Sequence, residues 1–241
     1  MEQFPILYDE QHRTYLEDIP FWISLAEQYG NPVLELGCGT GRVLFPLQQA
    51  GHETLGLDRD QGMLRLLCQK HPGMVICADM TDIPIKGFFR LVILPCNTYL
   101  TLHKEERKKL LECVARIIHP DGIFAVSLPN PWLLRALPES METDVEEIIE
   151  HPSDGNPVQI SNSWQRSSTQ LDIFWHYDHL FPDGTIQRLS IEQSYSLQPP
   201  QEYEEEFKQA GFEVKAKYGN FDQSPFQRTS PNLIFLIGKT I

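Results

Sequence analysis

Apolar positions set the first picture of this chain. In its first half, short runs of β-branched and aliphatic residues alternate with longer stretches that repeat at helical spacing. DIPFWISLAEQYG predicts a helix stopped at Gly30, PVLEL a buried strand, and GRVLFPLQQAG a helix. HETLGLD, GMVICAD, FFRLVILPC and GIFAVSLPN then read as strands, with QGMLRLLCQKH and KEERKKLLECVARIIHP as helices between them. Such alternation predicts βαβ units and a parallel sheet with right-handed crossovers.

The period then changes. PVQISNSWQRSS, TQLDIFWHYDHLF and TIQRLSIEQSYSL carry strand formers with no helical segment between them. The turn signal Pro182-Asp183-Gly184 joins the second to the third, which predicts an antiparallel meander. PQEYEEEFKQAGF reads as the last helix, and EVKAKYG and NLIFLIGKT as two closing strands. The acidic stretch ESMETDVEEIIEHPSDGNP is expected to be a mobile crossing between the halves.

Composition narrows the partner. The chain has 241 residues, enough for one α/β domain, and a net charge of -13. A surface of that sign repels phosphate backbones and anionic lipid, which argues against nucleic acid and membrane partners. No run reaches the ~20 apolar residues of a membrane span, and MEQFPILYDE lacks the basic and apolar regions of a secretory signal. Five widely spaced cysteines without a CxxC pair read as reduced thiols of a cytoplasmic protein. No His, Asp and Glu cluster has metal-like spacing, so no metal is expected.

The chemistry concentrates in VLELGCGTGR, Val33 to Arg42. Glycines after a strand let the backbone come close to a ligand at a helix N-terminus. A dinucleotide fingerprint starting at Gly37 and Gly39 needs a third glycine where this chain has Arg42. Glu35 would face a diphosphate unfavourably, whereas a carboxylate suits an ammonium or sulfonium.

LELGCGTG resembles the first motif of class I S-adenosylmethionine-dependent methyltransferases, and the likeness runs through about residues 33–130. It implies a Rossmann-like, seven-stranded, mostly parallel sheet flanked by helices, with an antiparallel meander at about 155–198 inserted between strand five and the last helix. The whole chain, 1–241, would be one domain, with 33–130 its cofactor-binding half and the insert its substrate side. The resemblance further implies S-adenosylmethionine bound by Glu35, Gly37, Cys38, Gly39, Gly41 and Arg42. Asp58 of LGLD would hold the ribose, with Arg59 and Met63 beside the adenosine. Asp79 of CADMTDIP would accept from the adenine amino group and Met80 would pack on the ring. Pro95 would lie near the methionine moiety, and Tyr15 in an N-terminal aromatic segment over the cofactor.

The insert and the tail YGNFDQSPF are similar to small-molecule N-methyltransferases of the amino-sugar and glycine type. The expected acceptor is a small molecule, methylated at nitrogen. Oxygen methylation and a non-catalytic cofactor-binding role are the alternatives. Tyr8, Asn97, Tyr99, Trp132, Trp164 and Trp175 are the candidate substrate residues, since ring faces attract cations. His176, Tyr177 and Asn97 are the candidate catalytic residues; His103, His119 and His179 read as structural. A monomer or homodimer is expected.

Overall fold

The computed structural model describes residues 3–71 and 73–240. Its main sheet contains β1 (Val33–Leu36), β2 (Thr54–Asp58), β3 (Val75–Cys77), β4 (Phe89–Leu94), β5 (Ile118–Pro129), β10 (Phe212–Tyr218) and β11 (Asn232–Lys239). The strand order is β10-β11-β5-β4-β1-β2-β3. Pairing is parallel from β5 through β4, β1 and β2 to β3, and β11 alone runs antiparallel to both of its neighbours. This is the mostly parallel, helix-flanked sheet expected from the sequence.

Helices cover both faces because the central strands are apolar on both. Every residue of β1 is buried. On one face, α2 (Ile19–Tyr29) packs Phe21, Trp22, Leu25 and Ala26 against Leu91, Ile93, Ala125 and Ile234. On the other, α5 (Lys104–Ile117) and α7 (Pro200–Gln209) bring Leu110, Val114, Tyr203 and Phe207 onto Leu34, Val92, Phe124 and Phe235. The remaining helices are α1 (Phe4–His12), α3 (Leu44–Gln49), α4 (Gln61–Lys70) and α6 (Pro131–Arg135). Among the described residues, no helix is long and apolar enough to cross a membrane.

The second sheet is larger than expected. It has four antiparallel strands in the order β6-β7-β8-β9 and begins at Ser140, not near 155. The acidic stretch expected to be a mobile crossing is its edge strand β6 (Ser140–Glu150), paired along its length with β7 (Pro157–Arg166). Thr143, Val145, Ile148 and Ile149 supply β-branched residues, and the acids hydrate on a strand with only one neighbour. β8 (Gln170–Leu180) and β9 (Ile186–Ser196) complete the meander.

Helix α1 has no capping side chain and a weak apolar stripe. Tertiary packing therefore sustains it: Leu7 and Phe4 lie against Val158, Ile160 and Tyr177 of the second sheet. On the side of the first sheet, Lys70 of α4 pairs with Asp9 at 2.6 Å.

Candidate active site

A cleft of about 830 Å³ opens where the parallel strands end, between the main sheet and the antiparallel one. In open parallel sheets, ligands bind beyond the carboxyl ends of the strands, where strand order reverses. Here that reversal falls between β1 and β4.

The floor is the loop after β1. Gly37, Gly39 and Gly41 have φ of 64°, 53° and 89°, all in the left-handed region. The Gly39 site is open, with no atom within 4 Å of where a Cβ would stand. Gly41 differs, since a Cβ there would meet Leu67 at 3.1 Å; it serves packing beneath the loop. Asp58, at the end of β2, accepts the Gly39 N–H at 2.8 Å through Oδ2 and the Asp60 N–H at 2.8 Å through Oδ1. Asp60 in turn caps α4 by accepting from Gly62 and Met63. Asp79 accepts from the Thr81 N–H and hydroxyl, both at 2.7 Å, which holds its carboxyl below the usual range.

Several expected binding residues lie behind this surface. Glu35 is buried, its Oε2 has no partner, and burial raises its pKa well above the carboxylate norm despite the nearby Arg42. Cys38 is buried against Gly56 and its thiol is pushed up by burial. Pro95 is buried at the end of β4. Arg42 does not reach the cleft wall. Its guanidinium grips Asp18 at 2.6 and 2.7 Å, donates to the Tyr15 carbonyl at 2.9 Å and lies over the Tyr15 ring. It also contacts the Cys96 sulfur at 3.1 Å, where the backbone adopts φ 61°. A non-glycine residue in that region is strained, and such strain clusters at functional sites.

Gly37, Gly39, Tyr15, Asp58, Arg59, Met63, Asp79 and Met80 line the near side. Facing them are Phe4, Tyr8 and His12 of α1, Trp175 and Tyr177 of β8, and Tyr195 of β9. Tyr177 donates to Gln11 at 2.7 Å, and Asn97 donates to Tyr195 at 3.3 Å. Burial pushes the Tyr8, Tyr177 and Tyr195 hydroxyls upward, and Tyr15 to about 12, so all four stay protonated.

Four expected side chains lie elsewhere. Tyr99 is fully buried between Tyr203 and Phe207 in the α7 contact. Trp132 sits on α6 beneath Arg228 at 4.8 Å. Trp164 donates to the Pro138 carbonyl at the far end of β7. His176 alternates with Trp175 and Tyr177 along β8, so it points to the opposite face, where it meets Ser190 at 2.8 Å.

His12, Cys96 and Tyr195 belong to the cleft and were not singled out from the sequence. The signal for His12 lay in the i, i+4, i+8 spacing of Phe4, Tyr8 and His12, which puts three rings on one helix face. Its Nδ1 is 2.9 Å from the Tyr8 carbonyl. A carbonyl only accepts, so Nδ1 carries the proton and Nε2 keeps a lone pair. Burial lowers its pKa, so the ring is neutral.

A buried carboxyl with an orphan oxygen, an open glycine loop and a carboxylate at the end of β2 fit a ligand carrying an ammonium, a sulfonium and a ribose. The comparisons agree with that chemistry. A methyltransferase domain family matches residues 33–122. The protein YqeM of Bacillus subtilis (strain 168) is 25% identical over 98% of this chain and 96% of its own length. An S-adenosylmethionine-dependent methyltransferase from Clostridium acetobutylicum ATCC 824 superposes with a TM-score of 0.80 at 15% identity, over 98% of this chain and 97% of its own. CalS10 with bound S-adenosylmethionine, an amino pentose methyltransferase from Micromonospora echinaspora, does so with 0.74 at 18% identity, over 97% of each chain. Residues 33–122 thus carry a methyltransferase domain, and the chain shares its fold with S-adenosylmethionine-dependent methyltransferases.

Proposed function

We propose that this enzyme methylates a nitrogen of a small molecule. The bound cofactor supplies an electrophilic methyl group on a sulfonium. The residues around it bind, orient and exclude water. Gly37 and Gly39 admit the methionine part, and Glu35 lies behind them as the counter-charge to its ammonium. Asp58 has lone pairs beyond those used by Gly39 and Asp60, and these accept from the ribose hydroxyls. Asp79 accepts from the adenine amino group, and Met80, Met63 and Arg59 flank the base and sugar. Arg42 and Cys38 act from behind, fixing the loop and the Tyr15 segment.

The observation that carries the nitrogen assignment is the aromatic far wall. Phe4, Tyr8, Trp175, Tyr177 and Tyr195 line the space beyond the glycine loop with aromatic side chains. Such a wall attracts an alkylammonium acceptor. His12 Nε2 takes the ammonium proton and so frees the nitrogen lone pair for the methyl group that a bound cofactor would supply. An amino pentose methyltransferase on the same fold is consistent with this chemistry. His12 also favours a second reading, methylation of a hydroxyl that it would deprotonate. The five unpaired cysteines suit a reducing, cytoplasmic setting.

The test is methyl-labelled cofactor with a panel of amines, carboxylic acids and phenols. Label transfer to amines is expected. Turnover confined to hydroxyl or carboxyl acceptors overturns the nitrogen assignment, and tight cofactor binding with no turnover at all favours a regulatory protein.

A further inference from the structure

Away from the cleft, the fold assembles a cluster that residue spacing does not reveal. His151 and Asp154 lie in the turn between β6 and β7, and His179 near the end of β8. One ligand atom from each lies within 4.8 Å of the others. None of the three lines the cleft.

We propose that His151, Asp154 and His179 form a binding site for one borderline transition-metal ion of the Zn²⁺, Co²⁺ or Ni²⁺ type. Two ligand atoms about 2.1 Å from a tetrahedral ion stand about 3.4 Å apart. The pairs here bracket that value: His179 Nε2 is 3.2 Å from the Asp154 carboxylate, and His151 Nδ1 is 3.6 Å from it. Two imidazoles and one carboxylate suit ions of this softness, whereas Ca²⁺ and Mg²⁺ prefer oxygen ligands alone.

A second observation points the same way. Both histidines are only 5% exposed. The nitrogens near Asp154, His151 Nδ1 and His179 Nε2, are the ones that hold the ion, and burial of both rings shields it from bulk water. Asp154 is exposed at the rim and leaves a coordination position for water.

Coordination has a geometric condition. The rings now stack 4.2 Å apart at 4°, which places their lone pairs in parallel planes. One ring turns out of the stack to meet the ion, and His151 Nδ1 gives up the Ser153 N–H at 3.2 Å. The bound ion then pins the β6–β7 turn to the end of β8.

The experiment uses tag-free, chelator-treated protein titrated with Co²⁺ and read by calorimetry and visible absorption. One Co²⁺ per chain is expected, with the intense d–d bands of a four-coordinate site and a raised unfolding midpoint. Asp154→Asn and His179→Ala should each weaken binding at least tenfold. Asp154 is exposed, so its variant decides the matter if His179→Ala fails to fold. Binding of S-adenosylhomocysteine should be the same with and without Co²⁺, because the two sites are separate. Absence of stoichiometric binding, equal affinity in Asp154→Asn, or a Co²⁺ effect on S-adenosylhomocysteine affinity overturns the proposal.

Discussion

Arg42 holds the carboxylate of Asp18 with two nitrogens, at 2.6 and 2.7 Å, and so joins the glycine loop to the entrance of α2. Asp18 is fully buried and also accepts the Trp22 indole N–H at 3.0 Å. Removing one partner from such a pair leaves an uncompensated charge. Asp18→Ala should therefore destabilise the fold by about 3 to 5 kcal/mol. Urea unfolding followed by circular dichroism measures this, and a loss below about 1 kcal/mol contradicts the role given to the pair.

Gly39 separates strain from ligand clearance. Nothing near it opposes a Cβ, so Gly39→Ala should meet only the left-handed backbone penalty, about 1 to 2 kcal/mol. The same methyl group would stand in the space proposed for the cofactor. Calorimetry should show S-adenosylhomocysteine affinity reduced at least tenfold in a folded variant. Unchanged affinity removes the close-approach argument.

Asp58→Ala tests the ribose contact. It removes a charge-assisted acceptor, and binding of S-adenosylhomocysteine should weaken by roughly 1.5–3 kcal/mol. The Gly39 N–H also loses its partner, so Asp58→Asn is the gentler comparison. A dissociation constant equal to that of the unaltered protein refutes the contact.

Glu35 makes both stability and binding depend on pH. Its pKa is raised in the folded chain, so that state keeps a proton which the unfolded chain releases. The resulting stability is present below the unfolded value and is lost as pH rises towards the folded one. Glu35→Gln should flatten this decline. An incoming ammonium favours the ionised carboxylate, so cofactor binding should release a proton. Its calorimetric enthalpy should then vary with the ionisation enthalpy of the buffer, and should not in Glu35→Gln. Buffer-independent heats in the unaltered protein contradict the assignment.

The parallel half was legible because local signals agreed there. The glycines, the acids closing β2 and β3, and the helical periods all pointed to one arrangement. The misreadings have separable causes. α1 drew no helix expectation, because it lacks a capping side chain and a strong apolar stripe and is sustained by contacts with Tyr177, Val158 and Ile160 and by the Asp9–Lys70 pair. Charge density in 139–157 masked the strand propensity of Thr143, Val145, Ile148 and Ile149. Among the aromatic candidates, Trp132 falls on the short helix α6, and Trp164 shares the sheet face of Trp175 but stands further along it, so only the fold tells them apart. Asp154 and His179 stand far apart in the chain, and their meeting is a product of topology alone.

The acidic edge strand β6 also governs how the molecule meets its own kind. An unpaired strand edge invites another chain to extend the sheet, and Glu142, Asp144, Glu146, Glu147 and Glu150 make that docking electrostatically unfavourable. The guard is titratable. As the medium approaches the isoelectric point near 5.0, the net charge of the molecule falls from -13 towards zero and repulsion between molecules fades. Light scattering should record self-association rising on acidification, and Glu146→Lys with Glu147→Lys should move its onset.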